Sequence, residues 1–228
     1  MKRLDLIWPL LFAAVSFTLF GPLTFALTLD LVDSHRYRAG FLFFSVLGAL
    51  GEALAARFSR GQWPGPSELT AAGLLWGLFG LAAALVFWIF NGGVVMAQTV
   101  GLLPGGGYSG SRHLLTASLG SFFFTGPFFT SLFVNLGFVS CFLTLRRLLF
   151  SALALRSFKS RWPGLNQTVR AVDWAAFVRR DFLAIPLFRV PMMTVVFMLP
   201  QDLWLPAAAW LGAVLTGLFG LVERTKRS

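Results

Sequence analysis

The chain has 228 residues, of which 57% are hydrophobic and only 12% are charged, and its mean hydropathy is +0.75. A typical soluble domain is about one quarter charged, so this composition excludes an ordinary soluble protein. The formal net charge of +10 comes from short polar stretches, which favour an anionic membrane surface as partner and exclude a solvated nucleic-acid-binding face. The single cysteine, Cys141, excludes an intramolecular disulfide and a cysteine-based metal site.

Long apolar runs predict an all-α, polytopic transmembrane helix bundle with about six spans in one integral membrane domain, residues 1–228. A hydrocarbon core of about 30 Å needs about 20 helical residues at 1.5 Å per residue. The predicted spans cover about residues 6–29, 39–56, 71–91, 115–145, 182–199 and 203–222, and a basic loop covers residues 146–181.

The first predicted span follows Lys2 and Arg3 and contains 24 uncharged residues. A signal peptide is the alternative, but the apolar run is too long and no Ala-x-Ala cleavage pattern follows it, so a retained helix is predicted. Gly21-Pro22 is expected to kink this helix. The polar residues 30–38 are then expected to form a short turn before the second span.

The third apolar run, residues 71–103, is uncharged for 33 residues. It would be about 50 Å long as one helix, which is too long for a straight span. Asn91-Gly92-Gly93 therefore predicts a helix break, with residues 94–103 lying at the interface or re-entering the membrane. Gly126-Pro127 is expected to bend the fourth span. The short link 200–202 predicts a tight antiparallel hairpin of the last two spans.

The distribution of basic residues predicts the topology. With six spans, the termini and the second and fourth loops share one side of the membrane and hold fifteen Lys and Arg residues, against three on the other side. This is a strong positive-inside bias. Both termini are expected to face the cytoplasm, or the matrix if the membrane is the mitochondrial inner membrane. A bacterial plasma membrane is the alternative location.

Basic and aromatic side chains in the loop after the fourth span predict contacts with anionic lipid headgroups or with a partner subunit. These residues are Arg146, Arg147, Arg156, Lys159, Arg161 and Trp162. Plain determination of topology is the alternative role of this loop.

Small residues at helical spacing predict close helix packing, because lipid gives helices little hydrophobic reason to associate. They lie on the third span (Gly73, Gly77, Gly80) and on the sixth (Ala208, Gly212, Thr216, Gly220). Their contact is either within the chain or with another subunit.

Glu52 and Arg189 are the two charges predicted to lie inside the membrane. Such groups are costly there and are usually paired or face a cavity, so an ion pair between them is predicted. The pair would join two helices or line a polar pathway. Arg189 snorkelling alone is a third interpretation. No catalytic constellation, metal site or cofactor motif is found in the sequence, which predicts a non-enzymatic protein.

Residues 47–57, LGALGEALAAR, resemble the Mpv-seventeen/peroxisomal-membrane-protein family, with Gly51-Glu52 at the place of the family's Gly-Asp. Phe87-Trp88, Gly126-Pro127 and Phe197–Pro200 are similar to further elements of that family. The resemblance covers roughly residues 38–223. It implies a non-enzymatic protein of mitochondrial inner or peroxisomal membranes, with channel-like passage of solutes.

Two functional hypotheses follow from the sequence. The first is a structural or accessory subunit of a larger membrane complex, for example an energy-transducing one, with anionic lipids and other membrane subunits as partners. The second is a small channel or transporter with Glu52 and Arg189 in a polar pathway. A continuous polar track through the bundle would favour the second hypothesis, and an apolar face covered by a partner would favour the first.

Overall fold

The structure is a computed structural model that describes residues 4–104, 125–159 and 163–225. Within these ranges the chain is helical and contains no strand, which confirms the predicted all-α class. The helices are α1 (Leu4–Phe20), α2 (Phe25–Arg60), α3 (Pro66–Thr99), α4 (Gly126–Phe133), α5 (Ser140–Lys159), α6 (Leu165–Ala171), α7 (Trp174–Phe177), α8 (Val190–Met198) and α9 (Trp204–Thr225). A π-helical turn, Val134–Val139, joins α4 to α5, and two more, Val178–Phe182 and Ile185–Arg189, precede α8.

Four helical stretches of the described chain are long and apolar enough to cross a membrane. They are Phe25–Arg60, Pro66–Thr99, Gly126–Arg156 and Gln201–Val222. Two apolar helices are shorter, Trp8–Phe20 and Ile185–Met198. The predicted number of six spans and the side of the termini therefore stay predictions.

The chain divides into two compact units. Unit 1 comprises Met1–Trp88 and Leu199–Ser228, and unit 2 comprises Ile89–Met198. In unit 1, α9 and α1 pack against α2. In unit 2, α4 packs against α8, and α6 packs against α5.

The first predicted span is wrong as a single helix, because α1 ends at Phe20 and α2 begins at Phe25. Pro22 has no backbone N–H and cannot donate to the carbonyl of residue 18. The hydroxyl of Thr28 donates instead to the Thr18 carbonyl oxygen at 3.4 Å. The expected kink at Gly21-Pro22 is thus a full break between two helices.

The short turn predicted at residues 30–38 is reduced to one residue, since the residues on either side of His35 are helical. Only His35 leaves the helical conformation, with φ −140° and ψ 50°, and it kinks the helix. The direction of the chain therefore changes at one residue, and the polar side chains on either side stay helical.

The predicted break at Asn91-Gly92-Gly93 is wrong, and α3 continues without interruption to Thr99. Each Gly costs a helix about 1 kcal/mol relative to Ala, which is a weak penalty that tertiary contacts override. Asn91 is buried, and its Oδ1 accepts a hydrogen bond from the Thr130 hydroxyl at 3.4 Å. The helix ends only near Gly101, whose φ of 77° requires a glycine-like conformation.

The fourth predicted span begins among residues 105–124, which lie outside the described ranges. Gly126-Pro127 forms the N-terminus of α4, and the expected bend stays a prediction because it depends on residues before 125. Proline suits the first helical turn, where its missing N–H would have no intrahelical partner. The last predicted span, residues 203–222, agrees with α9.

Unit 1 has two groups of charged and aromatic side chains, one at each side of its apolar helical segments. At one end the Arg36 guanidinium lies 4.4 Å from the centre of the Trp88 ring, which lies 6.4 Å from the Trp204 ring. At the other end Arg60 forms an ion pair of 2.9 Å with Glu68. The helical distance from Glu68 to Trp88 is about 30 Å, which equals the hydrocarbon thickness of a bilayer.

Candidate functional sites

The most polar group in the interior of unit 1 is the carboxylate of Glu52. The indole Nε1 of Trp76 donates a hydrogen bond to Glu52 Oε1 at 3.1 Å, which joins α2 to α3. Glu52 is half-buried and lies eight residues, or about 12 Å along the helix, from the boundary at Arg60. A charge-assisted hydrogen bond of this kind offsets part of the cost of a carboxylate at membrane depth.

The Trp76 side chain occupies the space left by the missing side chain of Gly48 and is in ordinary contact with Gly212. The Trp76 side chain is 3% exposed and lies against Gly48 of α2, where a Cβ atom would collide with the indole. At Gly212 of α9, a Cβ atom would lie 3.7 Å from the far edge of the same ring. Phe79 meets the indole edge to face at 5.7 Å. The indole is thereby held with its N–H directed at Glu52.

Arg189 lies in unit 2, at the end of the π-helical turn Ile185–Arg189, and is half-buried. Glu52 lies in unit 1. The predicted ion pair between these two residues stays a prediction. The structure adds Trp76 as a partner of Glu52, which the sequence alone did not identify.

The small residues on α3 lie against α2. Gly80 contacts Gly40 backbone to backbone, a Cβ atom at Gly77 would lie 2.7 Å from the Phe41 ring, and one at Gly73 would lie 3.3 Å from Ser45 Oγ. These contacts are all within unit 1.

The small residues on α9 are also engaged within unit 1. A Cβ atom at Gly220 would collide with the backbone of Ala55. Ala208 and Thr216 are buried, and the Thr216 hydroxyl donates to the Gly212 carbonyl oxygen at 2.8 Å. Of the two interpretations left open by the sequence, contact within the chain is the one that these distances describe.

The basic loop is described only in part. Arg146 and Arg147 are half-buried on α5, Arg156 is exposed, and Arg146 lies 5.6 Å from the centre of the Phe150 ring. Lys159 is the last residue of α5. Arg161 and Trp162 lie outside the described residues, so the predicted lipid or partner contact of this loop stays a prediction.

Unit 2 contains a group of buried polar side chains that sequence reasoning largely missed. The hydroxyls of Ser131 and Thr194 both donate to the Val190 carbonyl oxygen at 2.7 Å, and Asn135 Nδ2 donates to the Ser131 carbonyl oxygen at 2.8 Å. Serine and threonine are common in apolar helices, so these side chains carry no distinct signal in the sequence. The Ser131 bond joins α4 to α8, as polar side chains between membrane helices commonly do.

The described residues contain no group of three or more His, Cys, Asp or Glu side chains that could hold a metal ion. Among the described hydrogen bonds, Glu52 with Trp76 and Ser131 with Val190 each join one helix to another.

Apolar helices of membrane-crossing length, without strands in the described ranges, define a helical integral membrane protein. Comparisons with protein-family models, curated protein sequences and solved structures find no match. The resemblance to the Mpv-seventeen/peroxisomal-membrane-protein family therefore stays a prediction from the quoted residues.

Proposed function

We propose that the protein is a non-enzymatic structural or accessory subunit of a larger membrane complex. The observation that carries this proposal is the close packing of unit 1. Gly40 and Gly80 bring the backbones of α2 and α3 into contact, and a Cβ atom at Gly51 would lie 2.9 Å from Ala213 of α9. Helices whose backbones touch leave no room for a solute between them. A partner helix would therefore bind at the outer surface of unit 1.

That outer surface carries a regular apolar stripe on α3. Leu74, Leu78, Leu81 and Leu85 are exposed by 54%, 60%, 43% and 48%. Their spacing of four, three and four residues is the seam of a left-handed helix pair. Contact with lipid needs only apolar side chains at any spacing. Because all four residues are leucine and have the spacing of a helix-pair seam, the stripe favours contact with a partner helix. This contact supports the subunit function.

Substitution of this stripe tests the proposal. The double variant Leu74→Ala and Leu78→Ala is expected to abolish co-migration of the protein with a larger assembly on native gels, because it removes the two most exposed side chains of the stripe. The matched control is Leu42→Ala with Leu218→Ala, since these leucines are 50% and 49% exposed on α2 and α9. Equal loss in both variants, or in neither, would contradict a specific role of the α3 stripe.

A small channel or transporter is the second candidate function. It is favoured by Glu52, a half-buried carboxylate about 12 Å inside the boundary that Arg60 marks. In this function Glu52 and Arg189 would line a polar pathway, and the family resemblance implies channel-like passage of solutes. Solute flux through reconstituted proteoliposomes that is lost in Glu52→Gln would support it.

We further propose that the basic loop contacts anionic lipids and that the membrane is the mitochondrial inner or a bacterial plasma membrane.

A further inference from the structure

Arg36 and Trp88 form a cation–aromatic pair at one boundary of unit 1. The guanidinium carbon lies 4.4 Å from the Trp88 ring centre, and Trp88 is 38% exposed. Behind Trp88 lies Trp204, which is 1% exposed and donates its indole N–H to the Leu199 carbonyl oxygen at 2.9 Å. The aromatic surface under Arg36 is therefore held by a buried, hydrogen-bonded neighbour.

The charge of Arg36 is not neutralised by a carboxylate in the part of the chain that the structure describes. The kink at His35 separates the acids Asp30 and Asp33 from the bases Arg36 and Arg38. None of these four residues forms an ion pair with another described residue, whereas Arg60 at the opposite boundary pairs with Glu68 at 2.9 Å. The Arg36 guanidinium, with its five N–H donors, is thus not neutralised by a described carboxylate, whereas the Arg60 guanidinium is.

The depth of this pair matches that of lipid phosphates. Trp88 lies about 30 Å along α3 from Glu68, so the Arg36–Trp88 pair and the Arg60–Glu68 pair are separated by about the hydrocarbon thickness of a bilayer. Tryptophan concentrates at this level, where its apolar ring faces the acyl chains and its polar edge faces the headgroups. A guanidinium above the ring then lies in the headgroup layer.

We propose that Arg36 and Trp88 bind the phosphate group of a membrane phospholipid at this boundary. The planar guanidinium donates two parallel N–H groups to phosphate oxygens, and the ring below it restricts the side chain to the binding conformation. None of its residues belongs to the basic loop of residues 146–181, and it does not depend on the proposed subunit function. It gives the side of the protein with few basic residues a lipid contact of its own.

The experiment measures phosphatidylglycerol binding to the purified, delipidated full-length protein in detergent by native mass spectrometry. Arg36→Gln is expected to weaken binding about fivefold, as the loss of one basic residue near an anionic surface does. Trp88→Leu is expected to weaken it as well, and Arg36→Lys is expected to fall between Arg36→Gln and the unaltered protein. Arg60→Gln is the matched control, because it removes the same charge from a residue already paired with Glu68.

The outcomes are distinct. Binding that is unchanged in Arg36→Gln, or weakened equally in Arg60→Gln, overturns the proposal. Arg36→Lys that binds as tightly as the unaltered protein would show that charge alone acts and would overturn the assigned geometry. Excess inorganic phosphate is expected not to displace the lipid, and displacement would overturn its assignment as the source of the phosphate. Because only the isolated protein is used, these outcomes are independent of complex assembly.

Discussion

Replacing Gly80 with alanine is expected to lower the free energy of unfolding by about 3 kcal/mol, the upper part of the range for overpacking a tight contact. The added Cβ would collide with the Gly40 carbonyl oxygen and lie 2.6 Å from Phe44 Cβ. The first of these neighbours is backbone and cannot rotate away, so α2 and α3 must separate. In a bilayer the lost contact is not recovered by hydrophobic burial, because lipid is as apolar as the helix surface.

Gly92→Ala is the matched control for this prediction. Gly92 lies on the same helix, and nothing lies within 4 Å of the position that its Cβ would take. Alanine there is expected to leave stability unchanged or raise it by up to about 1 kcal/mol through helix propensity. Unfolding of both variants in mixed micelles by titration with a denaturing detergent gives the comparison. Equal stability of Gly80→Ala and Gly92→Ala would disprove the backbone contact between α2 and α3.

Trp76→Phe is expected to lower the free energy of unfolding by about 2 kcal/mol, the typical cost of losing a hydrogen bond to a charged group. The substitution keeps an aromatic ring against Gly48 but removes the N–H that donates to Glu52. The half-buried carboxylate then loses a donor at membrane depth. In combination with Glu52→Gln, the two effects are expected to be non-additive by about 1 kcal/mol, since the residues are in contact.

Trp210→Phe provides a control with a neutral acceptor. The Trp210 indole donates to the Ser16 hydroxyl oxygen at 2.9 Å, and both residues are partly buried. Loss of this bond is expected to cost about 1 kcal/mol, because bonds between neutral groups are weaker. If Trp76→Phe costs no more than Trp210→Phe, and its effect adds to that of Glu52→Gln, the carboxylate is not what makes Trp76 important.

The parts of the fold that follow from average hydropathy could be predicted from the sequence. The all-α class and the last helix depend on long apolar runs, and any long apolar run must satisfy its backbone groups internally to enter a bilayer. Residues 203–222 contain no competing break, and α9 accordingly begins at Trp204.

The errors come from breaks, where weak local preferences compete with tertiary contacts. Asn91-Gly92-Gly93 locally favours a helix end, yet buried Asn91 bonds to Thr130 and the helix continues. At Gly21-Pro22 the helix does end, and the Thr28 hydroxyl donates a hydrogen bond to the Thr18 carbonyl oxygen. The continuation of α3 cannot be predicted from the local residues, since Thr130 lies 39 residues from Asn91 in the sequence.

The same limit applies to the candidate sites. Glu52 stood out in the sequence as an intramembrane charge, but its partner Trp76 is set by the register of α2 against α3. That register follows from which glycine meets which side chain, with Gly80 against Gly40 and Gly48 against Trp76. The spacing of small residues predicts close packing but not which side chain of the neighbouring helix each residue meets, so the partner became identifiable only with the structure.

The measurement that tests the subunit function most directly is extraction of the native protein in a mild detergent, followed by a native gel and mass spectrometry of the band. The proposed function predicts that the protein migrates with a large assembly and that the band contains other membrane subunits. Migration alone, or as a small homo-oligomer, would contradict it and would leave the channel with Glu52 and Arg189 in its pathway as the function to test next.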